Sequence, residues 1–392
     1  MITSRQQTLL SKLECSQCGT GYSPAELQTF STCCTQPLVA RYNTRNSLNK
    51  SDLNESMTGM WRYSPMLPVL DERNIVSLGE GMSPILPLKN LGDKYGLPNL
   101  FLKDEGLNPT GSFKARGLSV AVSKAKELGV ETCIIPTAGN AGGAMSAYCA
   151  LAGMKAIVVM PRHTPDAFKE ECRILGADLI LVDGLINDCA KEVSRLKNGN
   201  NYFDMSTMKE PYRLEGKKTM GYEIAEQFNF DLPDVILYPT GGGTGLIGIW
   251  KAFAEMIKLG WIRCKLPRMI AVQAENCKPV VEVWNGNIPN AKGYKAKPSI
   301  ANGLAVPEPF AMKLIIETMH ESNGLPHAVG EQKIIESVKE IAKHEGIFVA
   351  PEGGALLAAL LDLIQQKLIN RNENILLLNT GSGYKYFENI KS

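Results

Sequence analysis

The sequence predicts an α/β fold built from mostly parallel sheets that helices cover on both faces. Three features predict it: short, continuously apolar runs, longer stretches with helical spacing between them, and glycine-rich loops where the runs end. The runs occupy residues 132–135, 156–160, 178–182, 235–238, 269–273 and 375–379. A strand with one wet face alternates polar and apolar residues. These do not, so they read as strands of a sheet covered on both sides. Between them, Leu118, Val122, Ala125 and Leu128 recur at helical spacing, as do Leu356, Leu360 and Ile364. Parallel strands need such crossovers.

With 392 residues, the chain has length for roughly two to three domains of about 150 residues. Its 42 basic and 40 acidic residues leave a net charge of +2, without the basic surplus that nucleic acid or an acidic membrane surface would attract. Small-molecule chemistry is the expectation. No apolar run reaches the roughly 18–20 residues of a bilayer span, and MITSRQQTLLSKLEC lacks a continuous signal-peptide core, so a cytoplasmic protein is expected. Cysteine usage agrees with that compartment. Cys133, Cys149, Cys172, Cys189, Cys264 and Cys277 stand singly in helix-like or strand-like stretches, where a reduced thiol acts as a small hydrophobe.

In open α/β sheets ligands bind beyond the carboxyl ends of the strands. Three loops there carry chemistry: TAGNAGG (137–143), TGGGTG (240–245) and TGSG (380–383). Residues without Cβ let successive N–H groups face an anion, and the helix after TGGGTG adds its positive end, which makes a phosphate cradle. Gly243, Gly245 and Gly248 also satisfy G-x-G-x-x-G, so a nicotinamide-dependent oxidoreductase is an alternative. That site wants an acid about 20 residues on, and Glu275 lies too far along. In NPTGSFKARG (108–117), turn-forming residues precede a helix that opens around Phe113 and Lys114. A lysine in a first helical turn meets an unfavourable dipole, which favours the neutral, nucleophilic amine of Schiff-base chemistry.

Cys15-x-x-Cys18-Gly and the pair Cys33-Cys34 place four thiols near the N-terminus. A structural zinc ribbon wants two paired knuckles. The first fits, whereas the second would need a cysteine near Ser31, and a degenerate knuckle without metal is the other reading. His163, His320, His327 and His344 are scattered without metal-ligand spacing. Glu352 in PEGGA either helps to position a ligand or is a plain acid at a helix N-terminus.

KDEGLNPTGSFKARG, TAGNAGGAMSAYCALAG, RLEGKKT (213–219), PTGGGTG and NTGSGYK resemble, in order, the lysine, ring-binding, hinge, cofactor-phosphate and pyridine-nitrogen motifs of fold-type-II pyridoxal-phosphate enzymes, most specifically threonine synthases. The likeness runs from CSQCG and WRYSPMLP, through GEGMSPILPL, to the end of the chain. It implies that Lys114 carries pyridoxal phosphate as a Schiff base and that Asn140 bonds the ring hydroxyl. It implies further that Gly241, Gly242, Gly243, Thr244 and Gly245 hold the cofactor phosphate while Thr380 faces the pyridine nitrogen. By the same resemblance Thr137, Gly139, Asn140 and Ala141 grip the substrate carboxylate, and Thr110, Ser112 and Arg116 meet a second anionic group. Two departures bear on the substrate: Ala115 stands where threonine synthases often have Asp, and in TAGN Ala138 lacks a hydroxyl.

The architecture that the resemblance implies is a pair of three-layer α/β/α domains with mostly parallel sheets. An extension carrying the cysteines spans residues 1–45. A large cofactor-phosphate domain takes 46–94 and 216–392, and a small mobile domain, 95–215, carries the lysine; a homodimer is expected. The implied activity is that of a lyase converting O-phospho-L-homoserine and water to L-threonine and phosphate. The alternative is a threonine or serine dehydratase, or another β-replacing enzyme of the class. The CxxCG extension, RLEGKKT and Thr380 favour the synthase.

Overall fold

A computed structural model describes residues 8–44, 48–53, 58–263 and 265–390. Cys264, one of the single cysteines, and the first seven residues lie outside the described residues. The chain begins with β1 (Leu10–Cys15), β2 (Gly21–Tyr22), β3 (Leu38–Tyr42), β4 (Ile85–Pro87), α1 (Lys89–Tyr95), β5 (Leu100–Asp104) and α2 (Lys114–Glu127). It continues through β6 (Thr132–Pro136), α3 (Asn140–Ala152), β7 (Lys155–Pro161), α4 (Asp166–Ile174), β8 (Asp178–Val182), α5 (Ile186–Lys197), β9 (Phe203–Asp204) and α6 (Tyr212–Gln227). Then follow β10 (Val235–Pro239), α7 (Thr244–Lys258), β11 (Arg268–Ala274), α8 (Pro279–Trp284), α9 (Met312–Glu321), β12 (Leu325–Val329), α10 (Glu331–Glu345), α11 (Pro351–Gln365) and β13 (Ile375–Asn379). Each of the six apolar runs read from the sequence is a strand.

Two compact units are built from interleaved segments, the first from Met1–Met82, Lys114–Tyr222 and Lys251–Ile262, the second from Ser83–Phe113, Glu223–Trp250 and Arg263–Ser392. The first unit holds a parallel sheet in the order β8-β7-β6-β9 and a small antiparallel sheet, β2-β1-β3. Ile134, Ile157 and Val159 of the parallel sheet pack with Cys189 and Val193 of α5 in one buried cluster. Its edge strand β8 is only half-buried, because an edge has a neighbour on one side alone. On α3, small residues bring the helix close to its surroundings: a Cβ on Gly142 would come within 3.1 Å of Thr137, Cys172 and Val158. Between α2 and α6 the approach is closer, since a Cβ on Gly216 would stand 2.1 Å from the Arg116 carbonyl oxygen.

Two buried polar clusters tie the first unit together. The Glu80 carboxylate of GEGMSP accepts from Trp61 Nε1 at 2.9 Å, Tyr148 Oη at 2.6 Å and Leu78 N at 2.9 Å. In the other, Glu215 and Glu255 face Lys218 at 2.6 and 3.0 Å and Lys251 at 2.8 and 2.7 Å. Lys218 Nζ also donates to the Met66 carbonyl and lies 3.8 Å from the Tyr42 ring centroid, and Tyr222 Oη donates to Glu255. Burying charges costs free energy unless each has partners, and this lattice of two anions and two cations supplies them.

The second unit's sheet runs β12-β11-β10-β13-β5-β4, parallel except for β4. Strands β10 and β13 are buried at every position, which accounts for their unbroken apolar sequences. Strands β4 (ILP), β5 (LFLKD) and β12 (LPHAV) lie outside the runs read from the sequence, because proline, charged residues or histidine cut their apolar stretches short. Among the described residues no helix is long and apolar enough to cross a membrane.

Candidate active site

In the second unit the sequence order of strands reverses between β10 and β13, and such a switch point is where open parallel sheets take ligands. Neighbouring strands β10, β13 and β5 send out three motif loops there: 240–243, 380–383 and 105–113. The glycines of the first loop are demanded by what lies beneath them. A Cβ would stand 2.3 Å from Gly303 O at Gly241, 2.4 Å from Ile315 Cγ1 at Gly243, and 1.9 Å from Tyr238 Oη at Gly245. Gly243 also has φ +76, which suits glycine. Thr244 opens α7, whose first-turn N–H groups and dipole favour an anion. Burial raises the Tyr238 phenol well above its ordinary range.

Glu352, weighed above as a positioning residue or a plain helix acid, lies in the first turn of α11 and is buried. Its Oε1 accepts from Gly303 N at 2.7 Å and from Tyr386 Oη at 3.3 Å. The acid therefore fixes the loop whose carbonyl floors Gly241.

Thr380, at the end of β13, accepts from Phe113 N through its carbonyl at 3.0 Å, and Ser382 N donates to Gly111 O at 2.9 Å. Ser112 and Gly381 form a bridge, and Lys385 Nζ donates to Thr110 O at 2.6 Å. The loop that leads into Lys114 is thus stitched to the TGSG loop up to Phe113. Thr110 (φ 58) and Gly111 (φ 63) are both left-handed, a costly state for a β-branched residue. The Thr110 hydroxyl is buried, with no hydrogen-bond partner among the described residues. Below Thr380, Asn379 Nδ2 donates to Asp104 Oδ1 at 2.7 Å, and burial pushes the Asp104 carboxyl up.

In the first unit the switch point lies between β6 and β9, and Thr137, Gly139, Asn140 and Ala141 lie there. Thr137 N donates to Val159 O at 2.9 Å, and Thr137 Oγ1 accepts from Gly139 N at 3.2 Å. Asn140 begins α3 and Lys114 begins α2; both are half-buried. Arg116 is wholly buried, with Nη1 donating to Thr219 Oγ1 of RLEGKKT at 3.0 Å. That motif lies on α6, where Arg213 donates to Met205 O at 2.6 Å.

The thiol groups of Cys15, Cys18, Cys33 and Cys34 lie within 4.8 Å of one another. Cys133, Cys149, Cys172, Cys189 and Cys277 are buried free thiols, as expected of small hydrophobes. Three of the four scattered histidines hold structural partners, His320 stacking on Trp284, His327 facing Asp362 and His344 facing Glu340, while His163 is exposed. Sequence reasoning missed Tyr238 and Gly303. The tyrosine could have been found as the buried residue just before PTGGGTG, whereas nothing near Gly303 marks it.

Bare glycine loops at a helix start, a lysine opening another helix and a hydroxyl at a strand end define a class of cofactor enzyme. The family described as pyridoxal-phosphate dependent enzyme matches residues 76–381, and the chain belongs to it. The fold is that of the fold-type-II class, and the cofactor is pyridoxal phosphate; the nicotinamide alternative is set aside. More particularly, a threonine synthase of Methanocaldococcus jannaschii is 35% identical over 376 residues, covering 95% of this chain and 92% of that protein. A threonine synthase of Methanosarcina acetivorans is 32% identical, covering 94% and 91%. Among solved structures, threonine deaminase isoform 2 from Solanum lycopersicum superposes with a TM-score of 0.66 at 18% identity, over 95% of this chain and 98% of its own. Maize serine racemase superposes with a TM-score of 0.65 at 21% identity, over 78% and 93%. At these identities the structures share the fold alone.

Proposed function

We infer that this chain is a threonine synthase, a pyridoxal-phosphate-dependent lyase that converts O-phospho-L-homoserine and water to L-threonine and inorganic phosphate. The observation that carries this reading is the 35% identity to a threonine synthase across 95% of the chain. A dehydratase reading has only the fold likeness to threonine deaminase and serine racemase behind it.

The residues present fit the cofactor. A loop that tolerates no Cβ at Gly241, Gly243 or Gly245 leaves peptide N–H groups for the phosphate together with Gly242 and Thr244. Thr380 offers the pyridine nitrogen a neutral hydroxyl, Asn140 offers the ring hydroxyl an amide, and Lys114 supplies the primary amine that holds the cofactor. When bound, pyridoxal phosphate draws electron density from the substrate skeleton, which makes its Cα and Cβ protons removable. Lys114 takes the proton from Cα and later returns one. Loss of a Cβ proton accompanies cleavage of the Cγ–O bond, with phosphate leaving on its electron pair. Cγ then gains a proton and the water oxygen bonds to Cβ, which completes threonine. Thr137, Gly139, Asn140 and Ala141 hold the substrate carboxylate at the start of α3, where the helix dipole favours an anion. The Thr110 hydroxyl, which has no hydrogen-bond partner among the described residues, is assigned with Ser112 and Arg116 to the substrate phosphate.

The test is the visible absorption of the purified protein with pyridoxal phosphate, repeated for Lys114→Ala, followed by assay of phosphate and threonine from O-phospho-L-homoserine. The unaltered protein gives a Schiff-base band that the variant lacks, and both products appear together. Keto acid from serine or threonine, with the phosphorylated substrate untouched, establishes the dehydratase instead. The same reading expects a cytoplasmic homodimer, which light scattering after gel filtration would check. We also propose a structural zinc on Cys15, Cys18, Cys33 and Cys34, supported by their four clustered thiols.

A further inference from the structure

The N-terminal sheet contains two turns of the same construction, sixteen residues apart. In the first, Cys15 N donates to Thr20 O at 2.9 Å, Gly19 N donates to Cys15 O at 3.0 Å, and Gly19 is left-handed at φ 75. In the second, Ser31 N donates to Gln36 O at 2.9 Å, Thr35 N donates to Ser31 O at 3.0 Å, and Thr35 is left-handed at φ 53. Position by position, Ser31 repeats Cys15 and Cys34 repeats Cys18. A regular pair of zinc knuckles would therefore take its ligands from 15, 18, 31 and 34. Position 31 carries no thiol. Its hydroxyl is buried, lies 3.2 Å from Cys15 Sγ, and accepts from Gln36 N at 3.0 Å.

The fourth sulfur comes from a position that the first knuckle fills with Gln17. Cys33 Sγ lies 3.4 Å from Cys18 Sγ. The Tyr22 hydroxyl holds this turn, accepting from Thr32 N and Cys33 N at 3.0 and 3.2 Å and contacting Cys33 Sγ at 3.3 Å. Thiolates around a tetrahedral zinc at about 2.3 Å stand about 3.8 Å from one another, a spacing that the cluster's 4.8 Å span admits after slight contraction. We propose that Cys33 is a displaced zinc ligand: it replaces, two residues later in the second knuckle, the thiolate that Ser31 does not supply, and Tyr22 is the residue that positions it. This rests on the zinc reading above. Cys33 and Cys34 lie in a turn and not on a strand, which answers the difficulty that neighbouring side chains point apart on a regular strand.

The test uses the full chain, loaded with zinc and then competed with a chromophoric chelator, alongside cobalt(II) substitution to read thiolate coordination from its charge-transfer absorption. Unaltered protein holds one zinc per chain. Cys33→Ser lowers zinc affinity by at least about tenfold, as removal of a ligand should. The double variant Ser31→Cys/Cys33→Ser, whose thiols sit at the regular knuckle positions, regains the affinity and the four-thiolate cobalt spectrum. Because Cys33 is exposed, its substitution should leave the fold intact, which the thermal transition checks. Absence of zinc from the unaltered protein overturns the metal reading and this inference with it. Zinc held equally well by Cys33→Ser, or a double variant no better than the single one, overturns the displaced-ligand assignment alone.

Discussion

Gly245→Ala tests whether the phosphate loop is bare because the structure beneath it leaves no room. Its Cβ would stand 1.9 Å from Tyr238 Oη, 2.3 Å from Cζ and 2.7 Å from Cε2. Ordinary contact requires the ring to retreat by about 1.5 Å. Tyr238 is 2% exposed and meets Phe113 edge-on at a centroid distance of 6.3 Å, so the ring cannot swing into solvent. Overpacking of this kind costs about 1–3 kcal/mol. For a unit of this size the thermal transition should fall by about 2–12 °C. If the loop shifts instead of the ring, one hydrogen bond to a charged phosphate is lost, worth about 1.5–3 kcal/mol or roughly 10- to 100-fold in cofactor affinity. Calorimetry of the cofactor-free protein and absorption titration with pyridoxal phosphate read the two effects separately. Gly260→Ala is the control, because no atom of the described residues lies within 4 Å of its Cβ position and the left-handed backbone, φ +71, is what resists it. It should cost about 1 kcal/mol and leave cofactor affinity unchanged. A Gly245→Ala protein with unaltered transition and affinity would refute the packing argument.

Two further predictions concern the first unit. Glu210 accepts from Tyr212 N and Arg213 N at the start of α6, is fully buried, and is pushed up to about 7 by that burial. Between about 4.5 and 7 the folded protein keeps a proton that the unfolded chain has released, so stability is full below the window and falls as pH rises through it. The loss amounts to about 3 kcal/mol, and urea unfolding at pH 5 and 7.5 should show that Glu210→Gln lacks it; parallel curves for the two proteins would reject the assignment. Lys218→Met leaves Glu215 and Glu255 to share Lys251 and should destabilise by about 3–5 kcal/mol, with partial recovery when Glu215→Gln is added. Thermal denaturation of the unaltered protein and the two variants checks this, and a single variant as stable as the unaltered protein would mean that the cluster is not charged as drawn.

The parts of the site that could be read without coordinates are those in which chemistry requires a residue type in a local pattern. Lys114 announced itself by the turn residues before it, and Gly241 to Gly245 by their lack of side chains. Gly303 and Glu352 act through contacts with residues distant in sequence. Glu352 meets Gly303 across 49 positions, and no local pattern encodes that distance.

By itself the sequence determined the class of fold, the strands buried on both faces, the start of α2 at Lys114 and the family motifs, because each depends on short-range periodicity, backbone stereochemistry or an obligatory functional group. Only the tertiary structure decided the strand order that sets the TGGGTG and TGSG loops side by side, the edge exposure of β8, and the partners of the buried Glu215, Lys218, Lys251 and Glu255. It also decided that the four thiols of Cys15, Cys18, Cys33 and Cys34, named from the sequence, come within 4.8 Å of one another. The physical reason is common to all of these: they are contacts closed over long loops, and their free energy depends on which surfaces the folded chain brings together.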